Sequence, residues 1–159
     1  MPLPSFLRGG AAAVALTITI GGALVVGAGV SNAGNAVTGG SGRTLSASLV
    51  GANEVPSGAG SPVGSGEATF TINPGRGEIC FNLASQGLGT VKAGHIHKAH
   101  AGFNGPIVVP FTITGNPTTG CQAISRELAV DIITDPTGYY ANFHTTTFPK
   151  GAVRGQLSK

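Results

Sequence analysis

Charged side chains are scarce in this chain of 159 residues, of which Asp, Glu, Lys and Arg make up only 9%. An ordinary soluble domain carries roughly 25% charged residues, so a densely charged surface is excluded. The basic residues are scattered without forming a run, and tryptophan is absent, which argues against a nucleic-acid partner. Hydrophobic residues reach 41%. That content excludes a disordered chain and is enough for the core of one domain.

The N-terminus has the layout of an export signal. Arg8 precedes an uncharged stretch from Gly9 to Val30, and Ser31-Asn32-Ala33 supplies small residues of the kind that a signal peptidase reads. We predict a signal peptide over residues 1–33 and a secreted or cell-envelope protein. The alternative is an uncleaved anchor, because an apolar run of about 20 residues can span a bilayer. Contact with a membrane is expected only in that case.

Cysteine is almost as rare as tryptophan: Cys80 and Cys121 are the only two. An even number of cysteines in an exported chain predicts a disulfide. The loop that it closes, about 42 residues, predicts roughly 4 kcal/mol of stabilisation from chain entropy. The alternatives are two buried thiols or two metal ligands, but a metal site would favour closer spacing such as C-x-x-C.

Residues 34–42 are rich in Gly and small polar side chains and predict a flexible linker, followed by one domain over residues 43–159. Within that domain, apolar and polar residues alternate with the period of two that is typical of half-buried strands. The turn sequence NPGRG at 73–77 predicts a hairpin over residues 66–84. Further strands are predicted at 90–97, 106–113, 122–133, 139–146 and 151–157.

The segment 122–133 also has a helical alternative, because Leu128 and Ile132 are four residues apart, but its β-branched residues favour a strand. About eight short strands separated by turns predict an all-β fold. The architecture expected is a single Greek-key β-sandwich or barrel, either immunoglobulin-like or superoxide-dismutase-like.

Five segments follow the order and spacing of a known family. They are LVGANEVP at 49–56, AGHIH at 93–97, GFNGPIVV at 102–109, GYYANFHT at 138–145 and FPKGAVRGQL at 148–157. On these segments the chain resembles a chordin-type (CHRD) domain in its single-domain microbial form. The resemblance implies an extracellular β-sandwich module. In animal chordin such domains belong to an extracellular antagonist of growth-factor signalling, a partner that does not transfer to a stand-alone chain.

Histidines are concentrated in two of these segments. Side chains at i and i+2 of a strand share a face, so His95 and His97 point one way and Ile96 points the other, into the core. By the same alternation Phe143 points inward, while its neighbours Asn142 and His144 point outward. If the two strands are close together, three imidazoles meet on the outer face.

Imidazole is a good ligand for copper and zinc, and copper has the higher place in the affinity order. His95, His97 and His144 are therefore predicted to bind a metal, with copper favoured over zinc and His100 as the candidate for a fourth nitrogen. The pattern is similar to the copper site of Cu/Zn superoxide dismutases, although their zinc subsite has no clear counterpart here. Arg154 either attracts an anion to the metal or forms a structural ion pair.

No catalytic residue can be assigned with the remaining side chains, since they form neither a nucleophile elbow nor a phosphate-binding loop. Two hypotheses of different classes remain. One is a non-catalytic extracellular module that binds a protein, a glycan or a cell-wall component. The other is a copper protein with redox or superoxide-dismutase-like activity.

Overall fold

The structure is a computed structural model, and it describes residues 42–159. Its elements are eight strands and one helix: β1 (Arg43–Val50), β2 (Ser65–Asn73), β3 (Glu78–Gln86), β4 (Val91–Lys98), β5 (Ile107–Phe111), β6 (Thr118–Ala123), α1 (Arg126–Thr134), β7 (Tyr139–Thr145) and β8 (Val153–Gln156). The predicted signal segment, and the linker up to residue 41, lie outside the described residues. Within 42–159, no helix is long and apolar enough to cross a bilayer.

All eight strands belong to one sheet, in the order β5-β4-β7-β8-β1-β2-β3-β6, and the neighbours in it are antiparallel. The sheet curls into a half-barrel, and its two outermost strands approach each other. There the amide of Gln122 on β6 donates to the carbonyl of Pro110 on β5, at 2.9 Å. The predicted all-β fold is confirmed, in the form of one curled sheet.

The core lies on the inner face of this sheet, as alternation predicts. β1, β2 and β3 each bury every second residue, and the predicted 66–84 hairpin is confirmed in the pairing of β2 with β3. Phe70, Phe81 and Phe111 form adjoining ring contacts in the core, with centroids 5.6 Å apart for Phe70–Phe111 and 4.6 Å apart for Phe81–Phe111. Because these rings come from β2, β3 and β5, the core joins both ends of the sheet.

The predicted strand at 122–133 is wrong for most of its length. β6 ends at Ala123, and α1 occupies Arg126–Thr134. Ser125 caps the helix by accepting a hydrogen bond from the backbone NH of Leu128, at 3.1 Å. Ala129 and Ile132, three residues apart, are fully buried in the core. A helix cap and an apolar face at helical spacing therefore outweigh the β-branched composition.

The predicted disulfide is confirmed. Cys80 on β3 and Cys121 on the outermost strand β6 are direct cross-strand partners, and their sulfurs are bonded. The bond fastens β6 to the rest of the sheet.

Candidate metal centre

Three neighbouring strands present a row of polar side chains on the face opposite the core. In β4 and β7, His95 lies opposite Asn142, and His97 lies opposite Tyr140. In β7 and β8, Asn142 lies opposite Arg154. Ile96 and Phe143 point to the other face and are 0% and 2% exposed. The alternation predicted for both strands is therefore present.

Strand pairing brings three of the four histidines together. One ring nitrogen from each of His95, His97 and His144 lies within 4.8 Å of the other two. Among them, His95 Nδ1 and His144 Nε2 are 3.1 Å apart. All three side chains are partly exposed, so the cluster lies at the surface rather than inside the barrel.

Backbone carbonyls orient two of the three rings. His97 Nδ1 donates to the carbonyl of Gly105, at 2.9 Å, and His144 Nδ1 donates to the carbonyl of Pro149, at 3.1 Å. A carbonyl only accepts, so each Nδ1 carries the proton and each Nε2 carries a lone pair. His144 Nε2 then accepts from His95 Nδ1. His97 Nε2 is buried and has no hydrogen-bond partner among the described residues.

A buried nitrogen without a partner is costly unless something else fills that role. In metal sites, a hydrogen bond from the second ring nitrogen to a backbone carbonyl fixes the tautomer and the direction of a ligating histidine. The hydrogen bonds of His97 and His144 to carbonyls are of this kind. The residues present therefore fit a metal ion bound by His97 Nε2, His144 Nε2 and His95 Nδ1. To bind through Nδ1, His95 would move its ring proton to Nε2.

The rings are held in the neutral form that a metal requires. Burial, together with the neighbouring His144 and His97, lowers the pKa of His95 to about 4. Burial also lowers the pKa of His97, and its hydrogen bond to Gly105 opposes that effect. For His144, burial lowers the pKa against the opposing effect of the Pro149 carbonyl. Near neutral pH the three imidazoles therefore carry no charge.

His100, the candidate for a fourth nitrogen, lies outside this cluster. Its side chain is 67% exposed, Nδ1 donates to the carbonyl of Thr137 at 3.2 Å, and Nε2 is 4.0 Å from Asp135. Asp131 and Asp135 line a separate surface depression with His100. Carboxylates are thus absent from the set of ligand atoms formed by the three clustered histidines.

Arg154 is buried, with 1% of the residue exposed. Its guanidinium carbon lies 3.4 Å from the centroid of the Tyr140 ring, and Tyr140 in turn stacks on His97 at 4.7 Å and 5°. One guanidinium nitrogen donates to the carbonyls of Phe103, at 2.7 Å, and His100, at 3.2 Å. Arg154 therefore fixes the loop that carries Gly105. Its predicted attraction of an anion stays a prediction.

Glu54 completes the polar network. It is 6% exposed and accepts a hydrogen bond from the side-chain amide of Asn142, at 2.5 Å. Burial raises the pKa of Glu54 to about 7, against the opposing effects of Arg154 and Asn142. A cavity of about 540 Å³ lies beside Glu54 and Arg154, and the three clustered histidines do not line it.

Sequence reasoning missed the residues that support the rings. The role of Tyr140 was available from alternation, because residues 140, 142 and 144 share one face of β7. The carbonyls of Gly105 and Pro149 carried no such signal, since any residue has a carbonyl and its direction depends on the loop.

Comparison with known proteins supports the resemblance seen in the sequence motifs. The family model of the CHRD domain matches residues 45–157, nearly all of the described chain. No curated protein and no solved structure matches. The matched range contains the three clustered histidines, the disulfide and Arg154. The chain belongs to the CHRD domain family.

Proposed function

We propose that this CHRD domain is an exported, non-catalytic module that binds one copper ion through His95, His97 and His144. The observation that carries the proposal is the buried His97 Nε2, which lacks a partner while ring nitrogens of His95 and His144 lie within 4.8 Å of a His97 nitrogen. Imidazole suits both copper and zinc, and between the two divalent ions the affinity order favours copper. Export is supported by the layout around Arg8 and Ala33, and the disulfide is compatible with it.

Calorimetric titration of the mature chain with copper tests this proposal. Wild-type protein should bind one ion, and His97→Ala should lose most of the affinity while keeping its fold, because the ring packs outside the core. His100→Ala is the matched control, since His100 lies three residues along the chain from His97 but outside the cluster. Absence of copper-dependent heat in wild-type protein would leave only a module for a protein, glycan or cell-wall partner.

The partly exposed rings favour a second function, superoxide-related redox activity. Three protein ligands leave a coordination position open to water or substrate. A superoxide assay on the copper-loaded protein separates the two functions. Turnover that depends on copper and on His97 would establish an enzyme, and tight binding without turnover would establish a carrier or store.

A further inference from the structure

We infer that the three-histidine site selects monovalent copper, Cu(I), over divalent copper and zinc. The inference rests on the proposed function, because it specifies which ion the same three rings bind. Its basis is the charge and number of the groups that the fold brings to the site.

The ligand set itself is neutral. His95, His97 and His144 supply nitrogen lone pairs, and the described residues add no carboxylate or thiolate to the cluster. Bound to three neutral rings, a monovalent ion leaves one unit of charge on the site and a divalent ion leaves two. The cost of removing an ion from water rises with the square of its charge, so partial burial penalises the divalent ion far more.

A fixed positive charge lies close to these rings. β4 and β8 flank β7, and Tyr140 of β7 is contacted by His97 from β4 and by Arg154 from β8. Arg154 is held there by the carbonyls of His100 and Phe103 and by the side-chain oxygen of Asn104. Because a guanidinium stays protonated, it repels a divalent ion more strongly than a monovalent one.

Glu54, a buried acid whose negative charge would offset that of a divalent ion, is kept out of the ligand set. Glu54 accepts a hydrogen bond from Asn142, and Asn142 is the residue directly opposite His95. The Glu54 carboxyl also lies against Gly151, where an added Cβ would come within 2.7 Å of three of its atoms. Packing and the amide contact thus hold the Glu54 carboxyl against Asn142 and Gly151, outside the set of ligand atoms.

The number of ligands points the same way. Divalent copper prefers a tetragonal set of four or more nitrogen and oxygen ligands. The cluster supplies three nitrogens, and His100 is hydrogen-bonded to the carbonyl of Thr137 instead. A closed-shell d¹⁰ ion has no such geometric preference, so three ligands satisfy Cu(I). Zn²⁺ is also d¹⁰, so the number of ligands opposes only divalent copper, and the preference over zinc rests on charge.

Ala93 offers a way to change the charge without touching Arg154, whose removal could unfold the protein. Ala93 lies opposite His144 across β4 and β7, and two residues from His95 on the same strand. It therefore shares their face and is only partly buried. Ala93→Asp adds one carboxylate beside the rings, and Ala93→Asn adds a side chain of nearly the same shape without charge.

The experiment measures the Kd of the mature chain for Cu(I), Cu(II) and Zn(II), with Cu(I) supplied anaerobically against a competing chromophoric chelator. Wild-type protein should bind Cu(I) at least tenfold more tightly than either divalent ion, and His97→Ala should lose that binding. Ala93→Asp should tighten Cu(II) and Zn(II) binding at least tenfold relative to Ala93→Asn.

Each result decides something different. Equal or tighter binding of a divalent ion by wild-type protein would overturn the selection of Cu(I) and leave the metal site standing. Failure to bind any of the three ions would overturn the site as well. If wild-type protein selects Cu(I) but Ala93→Asp and Ala93→Asn have the same ion preference, charge at the site is not the cause of the selectivity.

Discussion

His97 and Gly105 are joined by a hydrogen bond of 2.9 Å from the ring Nδ1 to the backbone carbonyl. This contact leaves His97 Nε2 as the atom with a free lone pair, and that atom is the one without a partner. Gly105 also has no room for a side chain, because a Cβ there would lie 2.0 Å from the carbonyl oxygen of Lys98. The direction of His97 Nε2 therefore depends on a glycine eight residues away.

Replacing Gly105 by alanine should weaken copper binding without removing a ligand. The added Cβ must displace either the loop or the backbone of Lys98, and the carbonyl that orients His97 moves with it. Loss of such an outer contact commonly costs about 10-fold to 100-fold in metal affinity. Gly115→Ala is the control, since a Cβ there meets only Pro117 at an ordinary 3.6 Å. Equal copper affinities for the two variants, measured by calorimetry, would contradict this role.

Ile96 lies between the two histidines of β4 and points into the core, where it is 0% exposed. Ile96→Ala should lower the free energy of unfolding by about 2 to 5 kcal/mol, because it leaves a cavity among buried side chains. His97→Ala should cost far less, since its ring lies on the opposite face. Urea denaturation of both variants without metal gives the comparison. A larger loss for His97→Ala than for Ile96→Ala would contradict the assignment of faces.

Glu54 should make stability depend on pH. Its pKa is raised to about 7 by burial, so the folded protein holds this proton more tightly than the unfolded chain does. The resulting stabilisation is complete below the unfolded pKa near 4.3 and is lost as pH rises through about 7. The loss is on the order of 3 kcal/mol at 1.36 kcal/mol per pKa unit.

The variant Glu54→Gln should lack this decline, because its amide oxygen still accepts from Asn142 but does not ionise. Glu67→Gln removes an exposed carboxyl on β2 and serves as the control. Denaturant midpoints between pH 4 and 8 give the three profiles. A Glu54→Gln profile parallel to that of wild-type protein would show that Glu54 does not cause the decline.

Copper binding should release almost no protons at pH 7. Burial lowers the pKa of all three histidines below the ordinary value near 6.5, so the rings are already neutral. Affinity should therefore decline only at a pH below that expected for three histidines with the ordinary pKa. Calorimetry in two buffers of different ionisation enthalpy measures the protons released. Release of one or more protons per ion at pH 7 would contradict the neutral state of the cluster.

Strand alternation was sufficient to place the histidines of β4 and β7 on one face, with Ile96 and Phe143 beneath them. It could not give the register, which pairs His97 with Tyr140 and sets His144 diagonally from His95. Register and loop direction depend on the whole sheet, and they decide which nitrogen of each ring is free. For the same reason local sequence could not show that Arg154 is buried beneath the loop that carries Gly105.

The segment after β6 shows a different limit. Ile124, Ile132 and Ile133 favour a strand by composition, yet Ser125 caps a helix and Ala129 and Ile132 fill the core from it. Local propensity was outweighed there by a cap and by the space that the curled sheet leaves to be filled.

We propose that one ion binds to His95, His97 and His144. Anomalous diffraction at the copper absorption edge, from crystals of the loaded protein, locates the ion directly. We expect one peak at about 2 Å from a ring nitrogen of each of these histidines, with His97 and His144 bound through Nε2. A peak at His100 or elsewhere, or a cluster without a peak in saturated crystals, would contradict it.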